Sequence, residues 1–138
     1  MKTKLTVKES ARLIELGVDP KMASMVSWKQ TEDWQRKSVL PNKEHLTLKP
    51  FRPMVMGFER FEVKDIFTLA DLLRILPKEI KVDKVNLSLV MEWQCDKWYV
   101  CYMGHGYMKA DHSAPELIDA LNSLLIWVLE NNLNQENQ

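Results

Sequence analysis

VNLSLVMEWQCDKWYVCYM, residues Val85 to Met103, decides the fold. Val85, Leu87, Leu89, Met91 and Trp93 alternate with Asn86, Ser88 and Glu92, Val90 being the exception. A period of two sends successive side chains to opposite faces of a strand, one buried and one mostly wet. Gln94 to Lys97 then supply a turn, and Trp98 to Met103 return as a second, aromatic-rich strand. The stretch predicts an antiparallel hairpin, with Trp93 and Trp98 meeting across the strands beside its turn.

Working outward, helices are expected on both sides of the hairpin. Upstream, Thr68 and Asp71 form a capping-box pair, Leu69, Leu72, Leu73 and Leu76 make one apolar stripe, and Pro77 stops the helix. Downstream, the spacing predicts a long helix from about Ala114 to Glu130, opened by Ser113 with Glu116 and tolerating Pro115 in its first turn. Its apolar residues cover more than a single stripe, so two sides must be buried. One side can lie on the hairpin; the other needs a second helix, the middle of the chain or another copy of it. Ile118, Leu125, Trp127 and Leu129 are the candidates for a shared interaction surface.

Near the start, Thr6 with Glu9 predicts a capped helix carrying Val7, Ala11, Leu13, Ile14 and Leu16, ended by Gly17. Asp19-Pro20 reads as the opening of another helical turn, taking Met22, Ala23 and Met25 toward Trp28. From Lys29 to Lys64 the pattern weakens around Pro41, Pro50 and Pro53, and only His45 to Leu48 alternate like a strand. The expected organisation is a single domain with a helical segment (1–28), an irregular or extended segment (29–64), a helix-hairpin-helix core (65–131) and a polar tail (132–138). The expected class is α+β, a hairpin, extended to three or more strands, packed on two or three helices.

A chain of 138 residues can withdraw about 68% of its unfolded surface from water, enough for a hydrophobic core. Net charge is zero, with twelve Lys/Arg against seven Asp/Glu in residues 1–60 and the reverse in residues 61–138. So mild an asymmetry argues against a strongly electrostatic partner such as duplex DNA. Lys8, Glu9, Arg12 and Glu15 interrupt any apolar leader, and the longest apolar run, Leu124 to Leu129, is far short of a membrane span. Two cysteines without a leader read as reduced thiols, and the expected location is the cytoplasm.

The span from Val100 to Leu121 gathers most of the residues with chemical potential. Cys95, Cys101, His105 and His112 are spaced C-x5-C-x3-H-x6-H, unlike the close pairs that bring ligands within about 2.3 Å of zinc. Cys101 and His105, if both lie on one strand, are roughly 13 Å apart along it. Cys101, His105 and His112 remain the candidates for a metal or nucleophile site, with no cofactor called for. Asp111, His112 and Ser113 are adjacent and project in diverging directions, which counts against a triad. Gly104-His105-Gly106 lacks the third glycine of a dinucleotide loop, and reads as a turn joining the second strand to the final helix. Trp34, Arg36, Lys37 and Arg52 interleave aromatic and basic groups and are the candidates for single-stranded nucleic acid, diluted by Glu32, Asp33 and Glu44.

FTLADLLRILPKEI, WQCDKWYVCY, ELIDALNSLLIWVLENN and the opening LTVKESARLIELGVDP together resemble small uncharacterised proteins of bacterial phages and mobile elements. That resemblance implies no activity and carries over no catalytic or binding residue. The resulting expectation is a non-enzymatic, cytoplasmic interaction or accessory protein, homodimeric through the surplus side of its last helix or bound to another protein. A single-stranded nucleic-acid accessory protein and a small enzyme or metal protein are the alternatives.

Overall fold

A computed structural model describes residues 1–31, 43–50 and 61–133. In chain order these form α1 (Val7–Glu15), a single 3-10 turn (Pro20–Met22), β1 (Met25–Gln30), β2 (His45–Leu48), β3 (Phe61–Ile66) and α2 (Leu69–Ile75). There follow β4 (Glu79–Val82), β5 (Val85–Gln94), β6 (Lys97–Gly104), β7 (Tyr107–Ala114) and α3 (Leu117–Glu130). The strands make two antiparallel sheets, a small one of order β2-β1-β3 and a larger meander of order β4-β5-β6-β7. The class is α+β, with the β5–β6 hairpin at the centre of the larger sheet.

Local chemistry explains most of these boundaries. The Thr6 hydroxyl accepts from the Glu9 amide at 3.1 Å while the Glu9 carboxylate accepts from the Thr6 amide at 3.0 Å, satisfying donors that the first turn of α1 would leave orphaned. Thr68 and Asp71 repeat the device on α2, at 3.2 and 2.9 Å. Asp71 is fully buried and also accepts from the Ser24 amide and hydroxyl and from Arg74, tying the entry to β1 onto α2. Lys2 reaches both Glu9 and Asp119, at 3.0 and 2.7 Å, and so joins the two ends of the chain.

One face of the larger sheet carries the core. Leu87, Val100 and Tyr102 point from β5 and β6 toward Leu72 of α2, Leu76 just after it, and Ile118, Leu121, Leu125 and Val128 of α3, all buried in one cluster with Leu5, Leu13 and Phe67. Tyr102 is enclosed, and its hydroxyl donates to the Pro77 carbonyl at 2.7 Å, which removes the penalty of burying it. Gly104 lies so close to β5 that a Cβ there would come within 2.6 Å of the Asn86 carbonyl oxygen.

Several expectations change. His105 and Gly106, with φ of 52° and 82°, turn the chain back into a further strand, so this glycine segment joins strand to strand and not strand to helix. Tyr107–Ala114 alternates weakly because a bulge interrupts it at Ala110, φ 58°, between the Val100 and Tyr102 pairings. Ser113 therefore belongs to β7 and caps nothing; α3 begins at Leu117, and Glu116 in front of it binds the Lys2 amide at 3.0 Å. Pro20 opens only one 3-10 turn, after which Met25 starts β1, so the first segment is not helical throughout. The middle strands build their own sheet around β1, and the hairpin is lengthened by its sequence neighbours β4 and β7. Finally, Ile118 and Leu125 offer no shared surface: the two-sided helix is covered by β6 and β7 on one flank and by α2 on another, within its own chain.

Candidate interaction surface

The β4–β5 and β5–β6 hairpins of the larger sheet differ in length, and that difference creates the surface. Pro77 follows the end of α2, so β4 has room for only four residues, pairing Glu79–Val82 with Val85–Ser88 around an Asp83-Lys84 turn. One further bond, from the Leu89 amide to the Lys78 carbonyl at 2.9 Å, completes that side. β5 is ten residues long and stays paired with β6 as far as Gln94, opposite Lys97. From Val90 to Gln94, β5 has β6 on one side and, among the described residues, no strand on the other.

Backbone groups of an antiparallel strand point alternately to its two neighbours. Because the Leu89 amide bonds toward β4, the N–H and C=O groups of Met91 and Trp93 also face that open side, whereas those of Val90, Glu92 and Gln94 face β6. The side chains follow the same period. Met91 and Trp93 extend beyond the cover of the helices, 42% and 51% exposed, and Trp93 leans on Trp98 across the pair with ring centroids 5.6 Å apart. Cys95 and Asp96, both left-handed with φ of 53° and 62°, close the tip in a two-residue turn. Glu92 is exposed on the opposite face, across from Tyr99, and makes no ion pair among the described residues.

The chemical candidates do not converge. Cys101 is buried on the outer face opposite Val90, whereas His112 stands opposite Val100 on the helix-covered side, its Nδ1 2.7 Å from the Ala110 carbonyl, and His105 occupies the β6–β7 turn. The sheet thus lies between the thiol and the His112 imidazole. Burial, and then the nearby Asp111 and Glu92 charges, push the Cys101 thiol up and make it a poor nucleophile. Cys95 is exposed at the tip, and no cluster of three or more His, Cys, Asp or Glu suited to a metal occurs among the described residues.

Trp34, Arg36, Lys37 and Arg52 lie outside the described residues. Trp28, which precedes them in the chain, is engaged within the small sheet: it stacks on His45 at 4.3 Å, meets Phe61 edge-on at 5.4 Å and donates to Thr47 at 3.2 Å. Trp127 and Leu129 are half-buried against the core. Two shallow concavities are lined by described residues. One, of about 260 Å³, balances Lys29 and Lys64 against Glu44 and Glu62 beside Ser27, which donates to Glu44. The other, of about 150 Å³, is lined by Val82, Leu87, Tyr107 and Lys109 at the end of the sheet. Neither collects a nucleophile with a base.

The open edge was missed because the alternation of β5 assigned Met91 and Trp93 to a covered face. Pro77 carried the signal, since it limits β4 to four residues against the ten of its partner. No protein-family model matches the chain, and neither a curated protein nor a solved structure does. No helix among the described residues is long and apolar enough to cross a membrane.

Proposed function

We propose that this chain is a non-enzymatic interaction module whose partner adds an extended segment to the free edge of β5. The reading includes a cytoplasmic accessory role in a phage or mobile element, the setting that the sequence resemblance implies. One observation carries the reading: Met91 and Trp93 present backbone groups with no strand partner among the described residues, along the same edge from which their large apolar side chains protrude. Strand addition uses these two assets together, main-chain bonds for affinity and alternate side-chain contacts for selectivity. Soluble proteins ordinarily blunt such edges with a covering element, a bulge or proline. β7 at the other side of the sheet has its bulge, whereas β5 has, among the described residues, Glu92 alone.

The test is a selection of random extended peptides on immobilised protein, counter-selected on Met91→Pro. Proline at this position deletes an outward N–H and leaves the ladder to β6 intact. Peptides enriched on the native chain and lost on Met91→Pro are expected. Identical enrichment on both proteins, or none on the native one, would dismiss the edge as the working surface.

A further inference from the structure

Resting on that edge reading, we infer that the partner segment carries a lysine or arginine flanked on both sides by apolar residues, and that it comes from a protein other than a second copy of this chain. The register sets this pattern. In an antiparallel addition that bonds the free groups of Met91 and Trp93, the residues opposite these two fall beside their side chains, and the residue between them falls opposite Glu92 on the outer face. The two flanking positions meet a thioether and an indole, both half in water, and are satisfied by apolar side chains. The central position meets a carboxylate with no ion-pair partner among the described residues. Lys97 is diagonal to Glu92 across β6 without bonding to it, and Asp111 adds negative charge near the same Cys101 thiol. Lys78 faces Leu89, three residues along and about 10 Å away, close to a Debye length at moderate salt.

The same register rules against self-pairing. Two copies related by a twofold axis can bond all of the free groups only with Met91 opposite the partner's Trp93. That places Glu92 directly opposite its own copy, in a pair without backbone bonds, where facing side chains come closest. Centring the axis on Met91 would instead bring Trp93 against the partner's Leu89, whose amide is already bonded to Lys78. Centring it on Trp93 keeps one bonded pair only. Glu92 thus selects against a second copy and for a cation.

The experiment uses short end-blocked peptides in which two valines flank a central lysine, glutamine or glutamate, titrated into the isotope-labelled full chain. The readout is the amide shifts of Met91 and Trp93 and the Trp93 indole signal. Affinity should fall in the order lysine, glutamine, glutamate, with about tenfold between the extremes at low salt and a smaller gap at high salt. Glu92→Lys should reverse the order. Equal affinities for the three peptides would overturn the charge assignment while leaving strand addition intact. No perturbation of the Met91 and Trp93 amides by any peptide would overturn the edge reading itself. A concentration-dependent dimer abolished by Met91→Pro would make the second copy the occupant and refute the partner inferred here.

Discussion

Two proline substitutions one residue apart should have opposite consequences if the edge is oriented as described. Met91→Pro removes an N–H that faces the open side, and the preceding Val90, being in a strand, already has the backbone conformation that proline demands of its neighbour. Its cost is confined to the ring's preferred φ and part of a half-exposed side chain, about 1 kcal/mol. Glu92→Pro removes an N–H that bonds β6 opposite Tyr99. A net hydrogen bond of about 1 kcal/mol is lost, and the proline ring intrudes on a paired strand, for a total of about 3 kcal/mol. The difference, about 2 kcal/mol, corresponds to roughly 6–10 °C in Tm for a chain of this size. Thermal melts followed by circular dichroism, supported by urea titrations, measure it directly. Equal destabilisation, or a greater loss for Met91→Pro, would refute the alternation on which the open edge depends.

Asp71→Ala should cost about 3 kcal/mol in urea unfolding, because it strands the Ser24 and Thr68 amides under a buried cap. Burial alone would raise the Asp71 carboxyl, but hydrogen bonds from Ser24 and Thr68 outweigh it and hold the group below the ordinary carboxylate range. Its folded pKa being the lower one, Asp71 contributes stability above its unfolded pKa and loses it as pH falls below about 4, a sensitivity that Asp71→Asn should reduce in acid titrations of the urea midpoint. Gly104→Ala should destabilise by about 1–3 kcal/mol, seen as a lowered melting temperature, since its methyl would press on the Asn86 carbonyl. A thiol reagent should modify Cys95 fast and Cys101 slowly in the native protein, with equal rates only after unfolding.

What could be seen in the sequence depended on whether the signal was local. Thr6 with Glu9 and Thr68 with Asp71 act within one helical turn, and both caps form as their spacing implies. The β5–β6 hairpin was legible because ten residues keep a period of two and the tryptophans meet beside a short turn. β7 was not, because the bulge at Ala110 shifts its alternation and leaves Ser113, Pro115 and Glu116 looking like a helix start. β1 was hidden in a similar way: Pro20 mimics helix entry, and what makes Met25–Gln30 a strand is pairing with residues far along the chain. The surplus apolar surface of α3 was real, but only the placement of α2 beside it shows that Ile118 and Leu125 are already covered. The edge of β5 lay between these cases. Its side-chain pattern was plain, while its lack of a neighbour emerged only from comparing the lengths of two strands on either side of a turn.

Among the described residues, the segment before β4 is poorly placed to close that edge. Continuing the β4 register would bring Pro77 opposite Val90 and Leu76 opposite Met91. Pro77 would stand at a non-bonded position with its backbone directed away from β5, but its carbonyl already holds the Tyr102 hydroxyl in the core, a contact that the shift would break. Leu76, 2% exposed, ends α2 within the main cluster, and pulling it out to the sheet edge would forfeit about 2 kcal/mol of burial. The bonds gained would return about 1 kcal/mol each, less the loss of the Tyr102 contact and of the last turn of α2. The described residues that would extend β4 along β5 are thus held by the core that the sheet supports, and drawing them onto the edge would unpack the helix above it.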